Sequence, residues 1–189
     1  MYSSGQPPVF CQSLLGNVFA DPEVPAAAID WVGFYWDECR RRALRKRSQL
    51  GVDCRILLSP GAVIRHGDVI FRYDDGLRIA ARIEPCDVLV ARPTSFVVAT
   101  TLAYELGNLH WPMQISAAEH ASSEHGDNIP AADMPWGELL TIPDGPAEVL
   151  FAQLQLALNV ERRRFEPGPV GARPELSADF RIMRRDGTA

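Results

Sequence analysis

The sequence predicts an α+β protein in two parts, an all-β first half followed by a second half ordered βαββαβ. Three observations point there. Short apolar runs separated by Pro-Gly, Gly-Asp and Asp-Gly turn signals fill the chain up to Ile83. From Cys86 onward the rhythm changes, and two helical stripes alternate with strand-like runs. Pro85 stands between the two patterns. A chain of 189 residues, 47% apolar and 8% aromatic, can bury real cores in one large or two small domains without disulfide or metal staples.

In the first half, Val9 to Phe19 reads as an opening strand closed by Asp21-Pro22, and Pro25 to Ala28 as a connector. Trp31 to Tyr35 begins a more regular β-region. Trp36 to Ser48 then carries Arg40, Arg41, Arg42, Arg45, Lys46 and Arg47 against only Asp37 and Glu38, and Gly51 closes it as a turn. Composition leaves both a basic helix and the solvated strands of a small sheet open for this run. Next come Cys54 to Leu58, the turn Ser59-Pro60-Gly61, Ala62 to Arg65, the turn His66-Gly67-Asp68, Val69 to Tyr73, the turn Asp74-Asp75-Gly76, and Leu77 to Ile83. Such spacing indicates a module of β-hairpins. His66 lies in a turn where Gly67 supplies backbone freedom, which is a structural role.

In the second half, Asp87 to Ala91 is a strand and Ser95 an N-cap. Phe96, Ala99, Thr100, Ala103 and Leu106 form a helical stripe that stops at Gly107. Trp111 to Ile115 and Glu138 to Ile142 are strands. Pro146 sits at the start of a second helix whose face holds Val149, Leu150, Leu154, Ala157 and Leu158, and Val160 to Phe165 is the last strand. The order βαββαβ is that of a ferredoxin-like α+β sandwich. The domains expected are therefore residues 8–85, residues 86–166 with a mobile insert at 116–136 rich in Ala, Ser, Asp and Pro, and a tail at 167–189.

Charge is distributed unevenly. No Lys or Arg occurs between Arg92 and Arg162, a stretch that holds Glu105, Glu119, Glu124, Asp127, Asp133, Glu138, Asp144, Glu148 and Glu161. A field of that sign concentrates cations, although acids also keep a surface soluble. His110, His120 and His125 lie in the same stretch, and neutral imidazole suits nickel, copper and zinc. His110 follows the helix stop Gly107-Asn108, so its ring is held at an element boundary and not in a core. One histidine cannot hold a metal, but two copies related by a two-fold axis could.

Several classes of function are excluded. There is no Ser-His-Asp or Cys-His arrangement, phosphate-binding Gly-rich loop or H-E-x-x-H helix, so an enzyme is not expected. Cys11, Cys39, Cys54 and Cys86 form no C-x-x-C pair and read as reduced, mostly buried thiols. Residues Met1 to Pro8 lack a basic leader and no apolar run is long enough for a bilayer, which predicts a cytoplasmic, soluble protein with no membrane partner. The basic run lacks interleaved aromatics and makes a poor stacking surface, so a protein with an acidic face fits it better than nucleic acid.

Taken together, certain segments resemble the UreE family of urease accessory proteins, which are nickel metallochaperones. They are Ser13-Leu14-Leu15-Gly16-Asn17-Val18, the Arg40 to Arg47 run, Leu58-Ser59-Pro60-Gly61 followed by Arg65-His66-Gly67-Asp68-Val69, the Tyr104 to Ile115 segment, and Arg164-Phe165-Glu166-Pro167. The resemblance covers about Val9 to Gly168 and decides the basic run in favour of strand. It implies a homodimer joined through the second domains, with His110 of each subunit binding one Ni2+ across the interface; Zn2+ or Cu2+ suits the same ligands. It also implies transfer of the ion through an accessory GTPase to the apo-urease complex.

This chain departs from the family pattern in three places. Glu105 stands where members often have a histidine and reads as a solvated helix residue. Ala147 and Glu148 occupy positions where some members carry peripheral histidines. The tail has no histidine or cysteine, in contrast to the His-rich tail of many members. His120 and His125, each preceded by a glutamate, are candidate replacement ligands on the insert. A dimeric adaptor that bridges urease maturation proteins without binding metal is the alternative function.

Overall fold

The computed structural model describes residues 7–20, 25–116 and 137–168. Its first half is built from β1 (Val9–Cys11), β2 (Ile29–Phe34), β3 (Ala43–Arg47), β4 (Asp53–Leu57), β5 (Val69–Arg72) and β6 (Arg78–Ile83). These make two three-stranded sheets, ordered β1-β4-β3 and β2-β6-β5. Alternation along each strand sends Val9, Cys11, Val32, Phe34, Cys54, Ile56, Ile79 and Ile83 into one shared core. Burial pushes the thiols of Cys39 and Cys54 up to about 12, which leaves them inert.

The turn signals do produce hairpins, β3–β4 around Gly51 and β5–β6 around Gly76, both glycines having φ of 90°. The module is not hairpins alone, however, because β1 lies parallel to β4 and β2 parallel to β6. The expected strand from Val9 to Phe19 stops at Cys11. Gly16 turns the chain at φ 101°, Asn17 donates to the His66 carbonyl at 2.8 Å and to Asp68 at 3.0 Å, and Val18–Ala20 forms a 3-10 turn. Ala62 to Arg65 is no strand either. Ile64 anchors that stretch in the core, and its N–H donates to the Cys39 carbonyl at 2.9 Å without forming a ladder.

The basic run is strand β3. Arg45 and Arg47 point outward, while the Lys46 ammonium turns back to Glu38 at 2.6 Å and lies 5.4 Å from the Phe34 ring centroid. His66 is packed as a structural group. Its imidazole stacks on Trp31 at 5.6 Å and on Phe19 at 5.1 Å, and its Nδ1 accepts the Ile83 N–H at 3.3 Å, which puts the ring proton on Nε2.

The second half comprises β7 (Pro85–Ala91), α1 (Phe96–Asn108), β8 (Met113–Ser116), β9 (Glu138–Thr141), α2 (Gly145–Gln153) and β10 (Asn159–Arg164). The sheet order is β10-β7-β9-β8 and every pairing is antiparallel. Ser95 caps α1, its Oγ accepting the Val98 N–H at 3.3 Å, and Pro146 sits in the first turn of α2. The buried stripes differ from expectation by part of a turn. On α1 they are Leu102 and Leu106, with Phe96 exposed; on α2 they are Ala147, Leu150 and Phe151, with Val149 exposed, and the helix ends at Gln153, short of the expected Leu154, Ala157 and Leu158. The buried side chains meet Leu89, Ala91 and Leu139 on one face of the sheet. Val88, Val90 and Leu140 on the other face pack with Phe165 and Trp36.

A closed ring of four charges also covers that second face. Arg92 donates to Glu138 at 2.8 Å and to Glu161 at 2.7 Å, and Arg163 donates to the same two carboxylates. Burial alone would raise the Glu161 carboxyl, but the Arg92 hydrogen bond and the Arg163 charge hold it below its usual value. Arg92 and Arg163, on either side of the acidic stretch, thus fold back on two of its acids, while Arg162 reaches Asp87 at 3.5 Å. Phe165 to Gly168 joins the halves: Phe165 meets Trp36 edge-on at 5.5 Å, Glu166 accepts the His66 N–H at 3.0 Å, and Arg40 donates to the Gly168 carbonyl at 2.8 Å. No helix among the described residues is long and apolar enough to cross a membrane.

Glu138, whose side chain is only 3% exposed, accepts from both arginines, so Glu138→Gln leaves buried cationic charge poorly matched. We expect a loss of about 2–4 kcal/mol in urea denaturation, where an exposed ion pair would lose under about 1. His66 predicts a pH effect. Burial, and then the charges of Arg164 and Arg82, lower its pKa from 6.5 to about 4. Between those values the unfolded chain binds the extra proton, so stability falls as pH drops through that window. Allowing for partial exposure, the loss is on the order of 1–2 kcal/mol, and His66→Gln should flatten that slope in pH-dependent melts.

Candidate metal centre

The helix stop at Gly107 does not occur. Gly107 and Asn108 stay within α1, Leu109 is its C-cap, and His110 takes the left-handed position beyond it at φ 55°. The His110 N–H donates to the Gly107 carbonyl at 3.0 Å and the Trp111 N–H to the Leu106 carbonyl at 2.9 Å. This pair of bonds is a Schellman closure, completed by packing of Trp111 into the cluster that holds Leu106. Glycine normally fills the left-handed position, because an L side chain there costs about 1–2 kcal/mol. α2 ends the same way, with Gln155 at φ 55° and Leu156 N–H donating to the Phe151 carbonyl at 2.9 Å.

The consequence for His110 is a fixed backbone and a free ring. The residue is exposed, and its imidazole makes no hydrogen bond or ion pair with the described residues. Trp111 on one side is anchored by packing, so the turn cannot rotate to bury the ring without breaking the closure. A free imidazole on a rigid turn is a competent ligand for a borderline divalent ion.

It is not a complete site. No group of three His, Cys, Asp or Glu residues able to hold a metal exists among the described residues. His120 and His125 lie outside the described residues, as do Glu119, Glu124, Asp127 and Asp133 and most of the expected insert at 116–136. Of the remaining acids in the acidic stretch, Glu138 and Glu161 are neutralised in the ring, while Glu105, Asp144 and Glu148 form no ion pair with the described residues. The charge excess near His110 is thus smaller than a count of acids suggests. Sequence reasoning missed the ring, although Glu161 and Arg163 stand two apart on one strand and so share a face.

Next to the His110 turn α1 presents a second apolar face. Phe96, Val97 and Tyr104 are exposed on the side away from Leu102 and Leu106, and Leu109 continues the exposed surface to the helix end. Exposed apolar side chains in helical spacing mark a surface suited to association.

The described residues thus join a β-module to a two-helix α+β half that carries an exposed histidine at a helix end. Residues 12–84 match a family model described as the N-terminal domain of the UreE urease accessory protein. The chain is also similar to proteins named urease accessory protein UreE. That of Flavobacterium johnsoniae is 35% identical over 98 residues, covering 51% of this chain and 59% of the relative. That of Haemophilus influenzae is 33% identical over 112 residues, covering 57% and 60%. That of Halalkalibacterium halodurans is 29% identical over 112 residues, covering 59% and 72%. The chain is therefore similar to proteins named as urease accessory proteins, with the family-model match confined to its first half. The matched part spans about three fifths of the length of the first two relatives.

The left-handed turn separates stability from ligation at one position. His110→Gly should raise stability by about 0.5–1 kcal/mol in thermal or urea unfolding, and His110→Ala should leave it near the original value. Both should lose metal binding to the same extent.

Proposed function

We propose that this protein takes part in urease maturation as a nickel-binding metallochaperone, cytoplasmic and homodimeric, that delivers Ni2+ for assembly of the urease active site. The accessory GTPase and the apo-urease complex are its partners. Residues 8–85 form a partner-binding β-domain, and residues 86–166 a ferredoxin-like domain for dimerisation and metal binding with an insert at 116–136. Residues 167–189 form a tail without histidine or cysteine. Kinship with proteins named urease accessory protein UreE supports the role in maturation. The antiparallel order β10-β7-β9-β8, with both helices on one face, supports the ferredoxin-like reading.

One observation carries the site: His110 offers an unengaged imidazole from a turn whose conformation a histidine adopts at a cost. Two such rings across a two-fold axis, completed by labile ligands, would hold nickel as cargo. An affinity in the micromolar range, about 8 kcal/mol, is strong enough for capture and weak enough for release. The exposed face of Phe96, Val97 and Tyr104 gives the second copy an apolar surface to cover beside the histidine. His120 and His125 are secondary ligands in this scheme. Ni2+ follows from kinship, and Zn2+ or Cu2+ would compete for the same rings.

The adaptor reading draws on the lack of a three-ligand cluster among the described residues. On it the protein would bridge maturation partners without carrying an ion. Equilibrium dialysis against Ni2+ distinguishes the two. The carrier binds about one ion per two chains and loses it in His110→Ala, whereas the adaptor binds nothing above background.

A further inference from the structure

We propose that the outward face of the sheet β1-β4-β3 is a docking surface for a protein partner whose own surface is acidic and carries apolar side chains. Strand register builds this face. Phe10 stands beside Arg55, and Arg55 is directly opposite Arg45, so an aromatic and two arginines form one row across three strands. The flanking rows are Leu57 beside Ala43, and Asp53 beside Arg47. Side chains of the alternate set, Val9, Cys11, Cys54 and Ile56, fill the core, so the outward set is not needed for packing.

Two features of the face are unfavourable for the fold on its own. Phe10 and Leu57 are 62% and 56% exposed on a short sheet. Arg45 and Arg55, like charges directly opposed across strands, repel each other. Asp53 partly offsets that repulsion, accepting both Arg45 hydrogen bonds at 2.9 and 3.0 Å with Arg55 at 3.7 Å, yet two arginines share that one carboxylate and Arg47 stands beside it across the strands. A net positive face with apolar side chains at one end complements an acidic surface that offers apolar contacts.

Nucleic acid fits less well. Phe10 is the aromatic of this face, and the Arg55 guanidinium already lies 5.5 Å from its ring centroid, so no free ring is offered for base stacking. The inference does not depend on nickel. It goes beyond the carrier reading by assigning the partner surface of the first half, and it stands whether the protein is a carrier or an adaptor.

The test uses the full chain in nickel-free buffer at low ionic strength, with fluorescence anisotropy of a labelled peptide of alternating Glu and Phe. A Lys and Phe peptide and a single-stranded oligouridine serve as the other probes. We expect the acidic peptide to bind, and Arg45→Glu with Arg47→Glu to weaken it by at least about tenfold. Phe10→Ser should weaken it several-fold through the apolar contact alone, and Arg47→Glu by itself provides a variant at a fully outward position. The proposal is overturned by absence of binding to the unaltered chain, by equal affinity in all three variants, by equal binding of the Lys and Phe peptide, or by tighter binding of oligouridine. Loss of nickel binding in a separate dialysis experiment would leave this result untouched.

Discussion

The left-handed turn that closes α1 is the constraint on which the functional reading rests. A helix that must end and send its chain into β8 within a few residues needs one residue with positive φ, and here that residue is histidine. The turn is over-determined by two backbone hydrogen bonds and by packing of Trp111 against the cluster that holds Leu106, so the backbone at His110 is held in place whatever its side chain does. Gln155 at the end of α2 shows that the architecture accepts a polar side chain there generally. What sets His110 apart is its chemistry, a nitrogen donor on a rigid and exposed base.

The rest of the second half supplies that rigidity. Two helices cover one face of the sheet, and the other is sealed by Phe165, Trp36 and the ring of Arg92, Glu138, Glu161 and Arg163. The ring also changes the electrostatics. It uses Arg92 and Arg163 to cancel two carboxylates of the acidic stretch, so what remains near the helix ends comes from Glu105, Asp144 and Glu148 among the described residues. In the first half the basic run is split by strand alternation. Lys46 turns inward to Glu38, while Arg45 and Arg47 remain on the outward face.

Local signals were legible in the sequence wherever one residue decides the backbone. Ser95 caps a helix, Pro146 starts one, and Gly51 and Gly76 turn hairpins as their types require. Long-range pairing was not legible. Nothing near Val9 or Ile29 announces that β1 and β2 will lie parallel to strands far along the chain, because that choice is made by side chains meeting in a shared core. Ala62 to Arg65 reads as a strand because it is apolar, but Ile64 buries itself without a neighbouring ladder. The helix stop was misplaced for a related reason. Gly107 is the residue expected to leave the helix, yet the Trp111 N–H bond to the Leu106 carbonyl and the packing of Trp111 fix the closure three residues later. His110 was legible as a boundary residue, but its left-handed conformation was not.

The central claim is that the His110 ring, and not some other nitrogen, grips an ion shared by two chains. Histidine side-chain NMR of the 15N-labelled full chain during a Ni2+ titration tests this most directly, because each of the four imidazoles reports separately. The account predicts that the His110 ring signals shift or broaden first and that the change is complete near half an equivalent of nickel per chain, while His66, stacked between Phe19 and Trp31, stays unchanged. Changes confined to His120 and His125, with the His110 signals unmoved at saturation, would contradict it.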